Sequence, residues 1–263
     1  MFMLLMYKEK IMEDKMIAKK TLLMVTIAIL FIVSLNGAVL DNFTLMTEQY
    51  PPYNFEQDGQ LQGIFVEILG EILKRDGSKQ TAKDIKLYPW ARGYKEVQSN
   101  VNSLLFGMTR SEEREKMFKW VGPLAPTKVV LLAKKSNKIV LKNKNELTNY
   151  LSGAIRDDIG HQLLTEAGVK DIDLSSDMLS CIKKLDSDRI KLWAYEENVG
   201  FWELKNQGKN TADYESVYVL LSSDLYIAFN KSASDDIIKR VQTLFEEIKK
   251  DGTYQKIVDK YLK

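Results

Sequence analysis

The sequence predicts an α/β fold built as two lobes joined by two hinge strands. Two observations predict it. From Phe43 to the C-terminus, short apolar runs alternate with stretches of helical spacing, the mark of strands covered by helices. The alternation also runs through two successive blocks, linked by extended runs near 130–136 and 222–228. Two units held together by two strands make a hinge. The expected layout is lobe one over residues 39–133 with 226–263, and lobe two over 134–225.

In the first block, Phe43-Thr44-Leu45-Met46 reads as a strand. Tyr50-Pro51-Pro52-Tyr53-Asn54-Phe55 is irregular, because its prolines lack donors and restrict the residues before them. Asp58-Gly59 is a turn signal. Ile64 to Arg75 has helical spacing, with Ile64, Ile68, Leu69 and Ile72 on one face and Gly77 just past the end. Ile85 to Tyr88 reads as a strand closed by Pro89, Ala91 to Ser99 as a helix, and Leu104 to Met108 and Val129 to Ala133 as strands. In the second block, Gly153 to Ile155 and Ile190 to Tyr195 read as strands. Gly160 to Ala167, Met178 to Asp186 and Asn198 to Asn206 read as helices. Val217 to Leu221 and Leu225 to Phe229 read as two separate strands. A helix over Ser234 to Lys250 and another from Thr253 close the chain.

The N-terminus has a different character. Lys19 and Lys20 precede an apolar run from Thr21 to Leu35, and Asn36-Gly37-Ala38 follows. A basic start, an apolar stretch and small residues make a secretory signal peptide, expected over residues 1–38. The run is short for a membrane span, which needs about 20 apolar residues; an uncleaved anchor is the other reading. Met12 and Met16 are alternative starts, and no cysteine follows the run to take a lipid.

Without residues 1–38 the chain has 33 basic and 33 acidic residues, so nothing points to nucleic acid or another polyanion. Cys181 is the only cysteine, so there is no internal disulfide, and it reads as a small buried residue on a helix. His161 is the only histidine, which excludes metal sites built on His and Cys clusters. No Gly-x-Ser-x-Gly elbow accompanies it, and no phosphate-binding glycine loop is present. No cofactor or metal is expected.

Leu104 to Arg114 is the most informative stretch. An apolar strand passes Gly107 and Thr109 and enters a helix capped by Ser111, with Glu112 and Glu113 suited to the positive end of the helix dipole. Arg114 is not suited to it. A cation in a first turn makes sense if an anion is held there by N–H groups and guanidinium together. The competing reading, equally weighted, pairs Arg114 with Glu112, Glu113 or solvent.

In order and spacing these residues resemble the bacterial extracellular solute-binding proteins of family 3, the periplasmic type that binds polar amino acids. Tyr50 to Phe55 with Asp58-Gly59 and Gly63-Ile64-Phe65-Val66 is similar to its YPPF, DG and GFDVD opening. Gly107 to Arg114 resembles GxTxTxxR, and Lys249 to Tyr254 resembles KxDGTY. The resemblance implies the type II two-lobed periplasmic binding fold. It implies that Arg114 clamps the ligand α-carboxylate, with Thr109 and Gly107 in the same segment, and that Tyr50 and Trp90 form aromatic walls. The loop containing Arg156 and Gly160 would close over the ligand from lobe two. Glu196 stands where an aspartate holds the ligand ammonium. A zwitterion leaving water needs both charges paired, and Arg114 and Glu196 on opposite lobes would supply that.

The chain also departs from the pattern. Lys191 replaces an aspartate, Glu196 is one methylene longer than aspartate, and Glu197 competes for the same role. Arg92, Arg110, Arg114 and Arg156 together would favour a more anionic ligand, unless Arg92 and Arg110 are surface charges or structural pairs. Glu48 faces either the cleft or solvent. The expected function is a monomeric periplasmic protein that captures a small polar, amino-acid-like ligand for an ABC transporter permease. The alternatives are a dehydratase-like enzyme on the same fold, with Glu196 as its acid or base, or a ligand sensor without transport.

Overall fold

The computed structural model describes residues 37–262 and Met16. The expected signal peptide therefore lies almost wholly outside the described residues. Among those residues no helix is long and apolar enough to cross a membrane.

An eight-stranded mixed sheet runs through the protein, its strands in the spatial order Lys86–Leu87, Thr44–Thr47, Ser103–Thr109, Tyr214–Asn230, Phe118–Lys134, Leu192–Glu196, Ser152–Ile155 and Ile172–Ser175. In its first half β1 (Thr44–Thr47) lies parallel to β4 (Lys86–Leu87) on one side and β5 (Ser103–Thr109) on the other. The second half repeats this plan: β7 (Ser152–Ile155) lies parallel to both β8 (Ile172–Ser175) and β9 (Leu192–Glu196). Two long antiparallel strands, β6 (Phe118–Lys134) and β10 (Tyr214–Asn230), pair along their length and join the halves. β5 pairs with the end of β10, through Leu225 to Phe229, and β9 with the end of β6, through Val129 to Leu132. The passage between halves therefore lies at 126–128 on β6 and 222–224 on β10. A small hairpin, β2 (Phe55–Gln57) and β3 (Gln60–Gln62), turns at Asp58-Gly59.

Both long strands outrun the sequence reading. The expected pair 217–221 and 225–229 is one 17-residue strand. Register shifts near Ser216, Val219 and Leu225 let it bend without breaking, and Ser222-Ser223-Asp224 continues the ladder despite its loop-like composition. The expected strand 129–133 likewise begins at Phe118. Over 118–128 β6 has a strand partner on one side only, and such an edge tolerates Pro123 and Pro126.

Helices cover the sheet. α1 (Ile64–Asp76) buries Ile64, Ile68, Leu69 and Ile72, as its spacing predicts. Gly63 starts it, at a point where a Cβ would come 2.4 Å from the Tyr53 carbonyl oxygen; Gly77 ends it in the left-handed region, its N–H donating to the last carbonyls. α2 (Trp90–Ser99) and the one-turn α3 (Glu112–Glu115) flank β5. α4 (Ile159–Glu166), α5 (Met178–Asp186) and α6 (Glu197–Asn206) follow β7, β8 and β9. α7 (Asp235–Lys250) and α8 (Thr253–Leu262) return to the first half. A core cluster of the second half gathers Leu131, Ala133, Ile139, Leu147, Ala154, Leu164 and Leu192. Cys181 is buried on α5, and burial pushes its thiol up to about 12, as suits a packing residue.

Candidate functional site

The site is built where β1, β5, β7 and β9 end and short turns lead into helices. β5 stops at Thr109, and Ser111 caps α3 by accepting from the Arg114 backbone N–H at 3.3 Å. That single turn throws the Arg114 side chain back towards the strand end. The residue is fully buried, while Glu112 and Glu113 are exposed and make no pair with it. Its Nη1 donates to the Thr109 carbonyl at 3.2 Å and its Nε to Oε1 of Gln162 at 2.9 Å. The Trp90 and Tyr94 rings each lie 5.1 Å from the guanidinium carbon. Nη2 is buried and has no partner among the described residues.

Glu48 follows β1 and is 7% exposed. Its carboxyl accepts no hydrogen bond from the described residues. Burial pushes it well above the usual carboxylate range, Asp158 adds to the rise, and Arg114 opposes it. The Glu48 carbonyl is held by Asn54 Nδ2 at 2.7 Å. Asn54 fits against β5 because position 107 has no side chain: a Cβ on Gly107 would sit 2.9 Å from the Asn54 Oδ1. Gly107, at φ 81°, thus serves the placement of Glu48.

From the second half, Asp158 caps α4, its Oδ1 accepting from the Ile159 N–H at 2.6 Å. Burial raises its pKa, and Arg114 is the largest opposing influence. Glu196 ends β9 and caps α6, accepting from the Val199 N–H at 2.7 Å. It is 1% exposed, and burial raises it to about 7 against the backbone N–H groups that stabilise its charge. Its neighbour Glu197 points outward, bonding Lys128 at 3.0 Å and Ser216 at 2.6 Å. Glu196 is the inward one of the two.

Tyr50 is buried with its ring edge-on to Tyr195, centroids 5.9 Å apart. Burial, then the charges of Glu196, Asp158 and Glu48, push its hydroxyl up. Trp90 is buried too, and its Nε1 donates to the Asp157 carbonyl at 2.7 Å across the two halves.

Two residues named from the sequence stand apart from these groups. Arg156 is exposed, and its backbone N–H donates to Ser175. Gly160 lies in the first turn of α4, where a Cβ would come 2.4 Å from the Ala194 carbonyl oxygen; it lets the helix sit on β9. The four arginines do not form one anion site. Arg92 lies 3.9 Å over the Tyr88 ring, and Arg110 pairs with Glu115 at 2.6 Å. Asp158, Gln162 and Tyr94 were not singled out in the sequence. A cap and a helix turn mark where Asp158 and Gln162 lie, not what they face.

A cavity of about 520 Å³ opens beside this cluster. Glu48, Trp90 and Tyr195 belong to its wall, and it continues past Tyr88 to Asp177 and Glu203. Among the described residues no His, Cys, Asp and Glu group is arranged to hold a metal ion.

Residues 44–263 match the bacterial extracellular solute-binding proteins, family 3. The chain belongs to that solute-binding family. As a member it is a binding protein, not an enzyme. It is 22% identical over 214 residues to a probable histidine-binding protein of Campylobacter jejuni, covering 81% of each chain. It is 22% identical over 216 residues to the L-cystine-binding protein TcyJ of Escherichia coli, covering 81% of this chain and 79% of that one. Among solved structures it resembles the substrate-binding protein of an amino acid ABC transporter, with TM-score 0.70 and 19% identity, over 84% of this chain and 99% of that one. The solute-binding protein thus has the two-lobed type II fold that its sequence predicts.

Proposed function

We propose that this solute-binding protein captures a small polar, amino-acid-like ligand between its lobes and delivers it to an ABC permease. We place the hinge at 126–128 and 222–224, where the long strands change partners, so that lobe one runs over 39–125 with 225–263 and lobe two over 129–221, a few residues from the division the sequence suggests. The leader over residues 1–38 exports the protein to the periplasm, where it works as a monomer.

One observation carries the reading. A guanidinium buried where the halves meet keeps Nη2 unpaired. Leaving a buried charged donor unsatisfied costs about 1–3 kcal/mol or more, and a ligand carboxylate removes that cost. Thr109 holds the guanidinium in place, Glu196 keeps lone pairs for an ammonium, and Tyr50 and Trp90 supply apolar walls. The names of its relatives, for histidine and cystine, agree with an amino acid, and the transporter named for its structural relative agrees with import. A ligand that touches both lobes favours the closed state through those contacts.

Thermal melting of the full chain with each common amino acid tests this. A ligand at a hundred times its Kd adds about 2.7 kcal/mol, a clear shift in midpoint. The shift is expected for at least one amino acid and is expected to vanish in Arg114→Ala. An unchanged affinity of that variant in calorimetry would remove Arg114 from the site.

A further inference from the structure

The start of α4 is tied to the Arg114 seat at two points. The Asp157 carbonyl accepts from Trp90 Nε1 at 2.7 Å, and the Gln162 amide oxygen accepts from Arg114 Nε at 2.9 Å. The Trp90 ring itself lies 5.1 Å from the guanidinium carbon. Asp158 falls between those two points in the chain and is 6% exposed. Its carboxyl accepts from the Ile159 and Gly160 N–H groups, the donors that a helix start offers to an anion.

A ligand carboxylate on Arg114 Nη2 therefore finds no free N–H group at the start of α4; it finds another carboxyl. Two carboxylates beside one guanidinium leave a net negative charge out of water, and like charges at one site end by sharing a proton. A protonated Asp158 resolves the conflict. It keeps an oxygen for the cap and gains an O–H donor, and an O–H on a carboxylate makes a short, strong hydrogen bond. Burial already favours the protonated form, with Arg114 the largest opposing influence.

We propose that Asp158 makes capture proton-linked: the ligand carboxylate lies between the Arg114 guanidinium and the hydroxyl of a protonated Asp158, and the protein takes up one proton from water with each ligand. The inference rests on the amino-acid reading above and adds its regulation, an affinity that falls as pH rises. The charges that act on Asp158 or feel it are Arg114 on α3, Glu48 after β1, Tyr50, Tyr195 on β9 and Cys181 on α5. On its own turn, Asp157 and His161 stand 4.0 Å apart. Burial pushes both tyrosines and the cysteine up, so they stay neutral between pH 5.5 and 7.5. Glu196 works in the opposite sense, because a ligand ammonium calls for its charge. The ratio of wild type to an Asp158 variant at each pH isolates the Asp158 contribution.

Calorimetry on the full chain at pH 5.5 and 7.5 tests it with L-arginine, L-glutamine, L-glutamate, L-leucine and L-cystine. Asp158→Asn keeps an oxygen for the cap and offers an amide N–H to the carboxylate without a titrating proton. For the amino acid that binds tightest, this variant is expected to bind tenfold or more tighter than wild type at pH 7.5 and within threefold of it at pH 5.5. Asp158→Ser also caps α4, and its ratio to wild type is expected to rise in the same way between the two pH values. A ratio equal at both pH values overturns the inference and leaves the amino-acid reading standing. So does an Asp158→Asn variant, folded by circular dichroism, that binds more weakly than wild type at pH 7.5. Loss of the pH dependence in Glu48→Gln and not in Asp158→Asn places the proton on Glu48 and overturns it too. Binding of none of the five overturns both.

Discussion

The Nε of Arg114 donates to the Oε1 of Gln162 at 2.9 Å, and the Nε2 of the same amide lies 3.4 Å from the Tyr94 hydroxyl. The contact joins a residue between β5 and β6 to one on α4, so it crosses the two halves of the sheet. Gln162→Leu keeps most of the volume and removes the acceptor. It leaves a second guanidinium nitrogen unpaired in a buried place, and the loss of one such partner costs about 1–3 kcal/mol. Urea unfolding is expected to show a drop of that size. A midpoint unchanged from wild type would mean that Arg114 finds another acceptor as easily.

What could be read in the sequence divides along the range of the interactions. Helix α1 was legible because its buried face and its Gly77 stop are both local patterns. The cap at Ser111 was legible for the same reason, and the misfit of Arg114 at a helix start suggested an anion held there, against an equally weighted surface pairing; burial of the residue is what the structure adds. The length of β6 and β10 was not, since Pro123, Pro126 and Ser222-Ser223-Asp224 read as breaks, and only the pairing of the two strands overrides them. The direction of Glu48 depends on Asn54 and Gly107, which belong to other segments. Glu196 and Glu197 are adjacent and chemically equal; the pairing of Glu196 with Val129 is what turns one inward.

Two glycines inside helices predict opposite outcomes. Gly70 lies in α1 with its nearest neighbour, the Ala82 Cβ, 4.0 Å from where a Cβ would stand. Gly70→Ala therefore gains helix propensity without a clash and is expected to stabilise the protein by about 0.5–1 kcal/mol. At Gly160 the added carbon would meet the Ala194 carbonyl oxygen at 2.4 Å. α4 must then lift off β9, and overpacking of this kind costs about 1–3 kcal/mol, more than the propensity returns. Paired denaturation curves check both signs; a Gly160→Ala variant as stable as wild type would show that α4 shifts freely.

Cys181 provides a probe of opening that needs no mutation. Its side chain is fully buried on α5, and its thiol is raised to about 12 by burial. Little thiolate exists near pH 8, and what exists is out of reach. Reaction with Ellman's reagent is expected to be negligible in the folded protein over minutes and to release one equivalent in denaturant. Prompt reaction under native conditions would show that α5 leaves the sheet often.

The last expectation concerns pH. Glu196 has a folded pKa of about 7, raised from 4.5 chiefly by burial. Below about pH 4.5 the carboxyl is protonated in both folded and unfolded chains, and its contribution to stability is fully present. Between there and pH 7 the unfolded chain gives up the proton while the folded one keeps it, so stability falls as pH rises. At 1.36 kcal/mol per unit the loss from this group is on the order of 3 kcal/mol. Glu48 and Asp158, also raised by burial, slope the same way. Asp188 and Asp251 are held down at about 2 by their hydrogen-bonding partners, so their stabilisation is lost only in stronger acid and leaves this window clear. Glu196→Gln retains an oxygen to cap α6 and cannot ionise. Urea unfolding between pH 5 and 8 should then find wild type and variant similar at pH 5 and the variant more stable at pH 8. Parallel curves across that range would mean that Glu196 ionises in the folded protein as readily as in water.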